Sequence, residues 1–274
     1  QICVDRGFNS PFHGHPEMRR AHYKSYRPRY VWLVLALLIS QANTQAQFSD
    51  IPGSASSKDL PRLRRLESQF EQIRQVLKIP GMSVAVVKDD GVLWAKGFGY
   101  ADIQKRVPAT PRTVYYIASL TKTFATTILM QLVEQGKLDL DDPMSKYSDE
   151  FKHDRIKVKH VLSHTADEPP GERFRYDGAR FATLTAVIEK KLGKSFRDVM
   201  TETFLDPLEM NDSIPSRDII EMVRKNPALY NKDKLRRYRQ SLARYATPYR
   251  LYGDEIIFTS YPWEGISASA GLLA

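Results

Sequence analysis

The order of hydrophobic patterns along the chain predicts an α+β fold: an amphipathic helix, a β-hairpin, then a mostly helical region running to about Arg244. Three observations carry that reading. Leu60, Leu63, Leu66, Phe70, Ile73 and Leu77 recur every three or four residues with Arg and Glu between them, which is the spacing of one helix face. Ile79-Pro80-Gly81 stops that helix. Two apolar runs, Met82 to Val87 and Val92 to Phe98, then flank Asp89-Asp90-Gly91, predicting a hairpin with a tight turn at Asp90-Gly91. Thr121 to Val133 is again apolar with helical period, and it ends at Gly136, the residue type that most readily follows a helix C-terminus.

The later elements follow the same logic. Ala179 to Leu192 reads as one helix closed by Gly193, and Ser195 with Asp198 opens another that stops before Pro207. Ile256-Ile257-Phe258 leads into the small-residue run Gly265 to Ala274. A lone two-stranded hairpin is marginal in water, so this chain needs further strands or heavy helical cover. No internal repeat is present.

Composition narrows the class. The chain has 274 residues, 42% hydrophobic and 27% charged, which excludes intrinsic disorder and a polytopic membrane protein. Its single cysteine, Cys3, excludes a disulfide scaffold, a cysteine zinc site and a Cys-x-x-Cys redox motif. The net charge is +9, but the first 46 residues hold six of the basic and two of the acidic side chains, leaving +5 for the rest. That residue of charge argues only weakly for nucleic acid, and no nucleic-acid partner is expected.

The N-terminal region divides by composition. Residues 1–17 carry no apolar period and are set apart from the fold as an upstream segment. From Met18 a basic stretch (Arg19, Arg20, Lys24, Arg27, Arg29) precedes nine consecutive apolar residues, Val31 to Ile39. A membrane span needs about 20 such residues, whereas this length suits a secretory signal. Small residues at Thr44-Gln45-Ala46 or Ser40-Gln41-Ala42 supply cleavage sites, so residues 18–46 are expected to be a signal peptide. The other reading of the run is a short buried helix or an uncleaved anchor. Residues 47–59 form a linker and 60–274 the folded domain. Export to the periplasm or outside the cell is expected, with membrane contact only through the transient signal.

Ser119-Leu120-Thr121-Lys122 places a hydroxyl and an amine three residues apart where a helix begins, and hence on one helical face. A serine hydroxyl becomes a good nucleophile only when a neighbouring base takes its proton, which a neutral lysine can do. A helix N-terminus there would also favour negative charge developing on an acyl oxygen. The tetrad alone is a weak signal.

Its neighbours are more specific. Ile79-Pro80-Gly81-Met82-Ser83-Val84-Ala85-Val86-Val87, Gly97-Phe98-Gly99-Tyr100-Ala101-Asp102, Ile117-Ala118-Ser119-Leu120-Thr121-Lys122 and Val161-Leu162-Ser163-His164-Thr165 occur in that order. Gln135 to Pro143, Pro170 to Tyr176 and Pro207-Leu208-Glu209-Met210 extend the series. Together they resemble the serine β-lactamase and penicillin-binding-protein-like hydrolases, particularly the class C β-lactamase-related branch, over roughly Leu60 to Ala274.

The resemblance implies an antiparallel sheet flanked by helices with an inserted helical domain, and acyl-enzyme hydrolysis without metal or organic cofactor. It implies that Ser119 is the acylated nucleophile, Lys122 its general-base partner and Tyr176 a proton shuttle. The substrate class stays open among a β-lactam, a D-amino-acid peptide and a carboxylic ester, and so does the oligomeric state. Two departures stand out. The family's second motif is Tyr-x-Asn, whereas this chain reads Tyr176-Asp177-Gly178 and lacks the amide that contacts lysine and substrate. The third motif, Lys-Thr-Gly or His-x-Gly on a late strand, is absent, and Lys191-Leu192-Gly193 is a decoy at a helix end. The expectation is a domain without its C-terminal strands, keeping only two strands of the sheet. A binding or scaffold protein of the same fold that has lost turnover is the alternative.

Several other features read as structure rather than chemistry. Tyr115 and Tyr116 are expected to pack. His160 and His164, four apart, lack an adjacent Glu or a third ligand and read as structural histidines rather than a metal site. Lys232, Lys234, Arg236, Arg237 and Arg239 around Tyr238 read as a solvated helix face, and Gly97-Phe98-Gly99 as strand packing rather than a dinucleotide fingerprint.

Overall fold

The computed structural model describes residues 58–219, 231–259 and 265–274, all within the unit Asp50–Ala274. The signal-peptide reading, its cleavage sites and the upstream segment lie outside the described residues. No helix among the described residues is long and apolar enough to cross a membrane.

Helix α1 (Leu60–Val76) carries Pro61 in its first turn, where a missing N–H breaks no intrahelical bond. The helix packs on the hairpin more narrowly than its sequence period implies. Leu63, Leu66 and Phe70 meet Trp94, Phe98, Met82, Val84 and Val86, while Leu60, Ile73 and Leu77 stay exposed because the sheet offers only that one apolar stripe. Glu67 fastens the helix by accepting from Trp94 Nε1 (3.1 Å) and Lys96 Nζ (2.7 Å).

Strands β1 (Gly81–Lys88) and β2 (Gly91–Asp102) pair antiparallel, from Gly81 opposite Gly99 to Lys88 opposite Gly91. The turn residues are therefore Asp89 and Asp90, one position earlier than expected. Both are left-handed, with φ of 50° and 60°, the pattern of a type I′ turn whose twist matches the strands. Among the described residues the sheet has three strands rather than two, since β3 (Val107–Pro108) pairs with the far end of β2. That crossing explains Gly97: a Cβ there would lie 2.1 Å from the Ala109 carbonyl oxygen.

Helix α2 (Thr121–Glu134) is the central helix. Its C-terminus closes as the sequence indicates, with Gly136 at φ 67° and the Lys137 and Gly136 amides donating to the Leu132 and Val133 carbonyls, a Schellman pattern. Ala125, Ile128, Leu129 and Leu132 of α2 are buried in the largest core. The other side of that core comes from Leu184, Val187 and Ile188 of α5 (Leu184–Leu192) and from Phe196, Val199 and Met200 of α6 (Phe196–Met200). Between α2 and α5 lie a 3-10 turn (Met144–Lys146) and two short α-helices, α3 (Val158–Leu162) and α4 (Gly178–Ala182). The single helix expected over Ala179 to Leu192 is thus α4 followed by α5. Thr183 lies between them, with its backbone still in the helical region at φ −64° and ψ −19°, and donates its hydroxyl to the Arg180 carbonyl at 2.6 Å. Ser195 caps α6 by accepting from the Asp198 amide at 3.2 Å, and a π-turn over Thr201–Leu205 leads to Pro207.

Helix α7 (Lys232–Leu242) bears the basic run. Tyr238 is fully buried, and Lys234 and Arg237 reach Asp206 and Asn211 at 2.8 Å each, so much of the charge is spent on the protein's own surface. Strands β4 (Tyr249–Tyr252) and β5 (Glu255–Phe258) form a separate two-stranded ribbon.

The segment entering α2 is clamped from both sides. Val114 pairs in parallel with Tyr245, its amide donating to Arg244 O (3.0 Å), and Tyr116 pairs antiparallel with Leu273. Tyr115 and Ala274 exchange backbone hydrogen bonds at 2.8 and 3.0 Å, and the Ile117 amide donates to Leu272 O at 3.1 Å. Two stretches far away in sequence therefore fix the backbone that delivers Ser119.

Candidate active site

Ser119 lies in a single 3-10 turn (Ala118–Leu120) that runs directly into α2. Ala118 before it has φ of 45°, a left-handed conformation unusual for a residue with a Cβ, and the clamped strand segment holds it there. The turn leaves Ser119 half-buried at the helix entrance, and one turn on it brings Lys122 to the same face.

The structure brings Ser119, Lys122 and Tyr176 together. Lys122 Nζ donates to Ser119 Oγ at 3.1 Å, and Ser119 Oγ lies 2.6 Å from the Tyr176 hydroxyl. Lys122 is only 8% exposed, whereas Tyr176 is 49% exposed. The hydroxyl of Ser119 thus sits between a buried amine and a phenol that faces solvent.

Three residues outside the sequence-derived set build the walls. Ser269 accepts from Lys122 Nζ through its carbonyl (3.0 Å) and its hydroxyl (2.8 Å). Phe181 of α4 is buried with its ring 5.3 Å below the Lys122 ammonium, and Tyr176 presents its own ring at 5.1 Å. His164 lies between these two rings, stacked on Phe181 at 5.2 Å and tilted against Tyr176 at 4.6 Å. The Asp177 amide donates to His164 Nδ1 at 3.2 Å, which fixes that nitrogen as the unprotonated one. Burial, aided by the Lys122 charge and opposed by Asp177, holds the His164 imidazole below its ordinary 6.5. His164 therefore braces Tyr176 rather than lying idle in the core. Its signal in the sequence was its place in the Val161–Thr165 block.

The other singled-out residues lie in structural roles. His160 accepts from the Lys157 amide through Nδ1 (3.2 Å) at the start of α3. The Tyr115 hydroxyl meets Ser83 Oγ of β1 at 2.9 Å, and burial pushes that phenol above its usual value of 10. Tyr116 packs with the smaller core of Val114, Ile214, Ile219, Tyr238 and Leu273. Gly193 is the left-handed residue ending α5.

A β-lactamase family model matches residues 66–274. The chain belongs to the beta-lactamase family. Its fold is the β-lactamase/transpeptidase-like one, an antiparallel sheet with helices, which in this family generally supports serine acyl-enzyme hydrolysis of small-molecule substrates. Protein flp of Staphylococcus aureus (strain MW2) is 29% identical, the match covering 54% of this chain and 37% of that relative. The octameric penicillin-binding protein homologue from Pyrococcus abyssi is 29% identical, with a TM-score of 0.62 over 77% of this chain and 53% of its own. A class C β-lactamase shares the fold with a TM-score of 0.59 at 23% identity, over 78% and 62% of the two chains. The chain therefore spans less than two thirds of these relatives' lengths.

Proposed function

We propose that this protein is a serine hydrolase that forms an acyl-enzyme at Ser119, with Lys122 as general base and Tyr176 as proton shuttle. One observation carries the reading: the Ser119 hydroxyl meets an amine and a phenol simultaneously, at 3.1 and 2.6 Å. Lys122 Nζ takes the Ser119 proton as Oγ attacks the carbonyl carbon, and the helix entrance favours the resulting oxyanion. Collapse breaks the carbonyl bond to the leaving group, which departs with a proton delivered through Tyr176, leaving an ester on Ser119. Water then attacks that ester, giving its proton to the same relay, and releases the carboxylic acid with the free serine. The intact Ser119–Lys122–Tyr176 contact favours this reading over a scaffold that has lost turnover.

The substrate is an activated carboxylic ester or amide. The missing second-motif amide at Gly178 removes a side chain that would grip a β-lactam, which places simple esters first. In the purified protein, Ser119→Ala and Lys122→Ala should each lower p-nitrophenyl ester turnover by about 10⁴-fold or more. Wild-type turnover in Ser119→Ala would sink the assignment.

We further propose that the protein is exported by the segment 18–46. When it is expressed in a bacterial host, N-terminal sequencing of the extracytoplasmic product should begin at Gln47 or Asn43. Cytoplasmic protein retaining Val31 to Ile39 would refute this.

A further inference from the structure

We infer that Ser269 is the positioning residue that orients Lys122, and that Gly178 and Ser269 form an exchangeable pair sharing one side-chain space beside the amine. The inference rests on the hydrolase reading for its kinetic consequences and on geometry for the contact itself.

A lysine nitrogen has three directions beyond its carbon, each an N–H bond or, once a proton has left, a lone pair. Two acceptors on the same residue, Ser269 O at 3.0 Å and Ser269 Oγ at 2.8 Å, take two of them, so the third points at Ser119 Oγ at 3.1 Å. Around the rest of the amine stand the rings of Phe181 and Tyr176, which attract a cation but fix no direction. Orientation therefore comes from Ser269.

Ser269 is itself held. It is 8% exposed, in a turn where Ser267 and Ala270 exchange backbone hydrogen bonds at 2.8 and 3.3 Å. The Ala268 amide donates to Thr185 Oγ1 of α5 at 2.8 Å, and the Leu272 amide to Thr121 Oγ1 of α2 at 3.2 Å. The turn is thus pinned to the helix that carries Lys122 and to the helix packed against it.

Gly178 completes the argument. A Cβ on Gly178 would lie 3.3 Å from Ser269 Oγ and 3.9 Å from Lys122 Nζ, so a side chain there would project into the space the Ser269 hydroxyl fills. Gly178 is not among the positive-φ residues, so backbone conformation does not require glycine. The tight contact is with the Ser269 hydroxyl, which would have to shift by a few tenths of an ångström for a Cβ alone and further for the amide of an asparagine reaching toward Lys122.

The test uses p-nitrophenyl acetate turnover over pH 5 to 10, thermal melting, and the ¹⁵N signal of the Lys122 side chain, assigned by its loss in Lys122→Ala. Ser269→Ala and Ser269→Gly should each lower kcat/KM by about 10- to 100-fold, as for one lost hydrogen bond to a charged or reacting group. They should also displace the acid limb of the pH profile and shift the Lys122 signal, with melting within about 2 °C of wild type. Gly178→Asn alone should lose activity. Ser269→Gly combined with Gly178→Asn should recover at least tenfold over Ser269→Gly. An unmoved Lys122 signal in Ser269→Ala would overturn the inference even if the protein hydrolyses nothing. A double variant no better than its parents would overturn the exchange. Absence of Ser119-dependent turnover in wild type, with the Lys122 signal shifted as described, would instead remove the hydrolase reading and leave the contact standing.

Discussion

His164 works both as a packing surface and as a hydrogen-bond acceptor, and the second use requires the neutral ring. Protonation at Nδ1 would break the bond from the Asp177 amide and set a second positive charge beside Lys122. Because burial lowers the folded value below 6.5, the unfolded chain binds this proton more readily than the native one. The resulting stability is present in full above about 6.5 and is lost as pH falls from there toward the folded value. Melting temperature should therefore drop between pH 7.5 and 5 more steeply in wild type than in His164→Asn. Asparagine is the suitable replacement because the residue sits at φ 57°, a conformation it tolerates. Equal slopes in the two proteins would show that His164 does not titrate in this way. At the same scale, sequence alone singled out Ser119, Lys122 and Tyr176, which the structure brings together, but gave no sign of Ser269. The first three lie in blocks of recognisable order. Ser269 reaches Lys122 from 147 residues away, out of a run of small residues with no period.

Elements were legible where one physical signal dominated. The hairpin and α2 follow from their apolar runs, and α2 from glycine at its left-handed end, so their positions agree with the pattern to within a residue or two except that the second strand runs on four residues past Phe98 to Asp102. The break at Thr183 was not legible, since no change of period announces it and the residue keeps helical dihedrals. The narrow packing of α1 was hidden for another reason: its pattern gives the face that could be buried, while the width of the opposing sheet decides how much is. The α2–α5 contact lies within the largest core cluster of the described residues, where Leu129 and Leu184 have no exposed surface. Leu184→Ala should destabilise the protein by about 2 to 5 kcal/mol through lost burial and the cavity left behind. The exposed Val76→Ala should change stability by less than about 0.5 kcal/mol. Urea denaturation of both variants measures the difference, and equal stabilities would place the core elsewhere.

On the scale of the whole molecule, the nucleophile is assembled from the full span of the described chain. The strand segment before Ser119 is gripped by residues around Tyr245 and by Leu272 to Ala274, Tyr176 comes from the loop before α4, and His164 braces it from the end of α3. Such a site forms only when the domain folds, so an activated serine reports on fold and chemistry together. The most direct measurement is intact-mass spectrometry of the purified protein after incubation with a fluorophosphonate, alongside Ser119→Ala. The account predicts one covalent adduct on the wild type and none on the variant. A folded wild-type protein that gains no adduct, or an adduct that persists in Ser119→Ala, would contradict it.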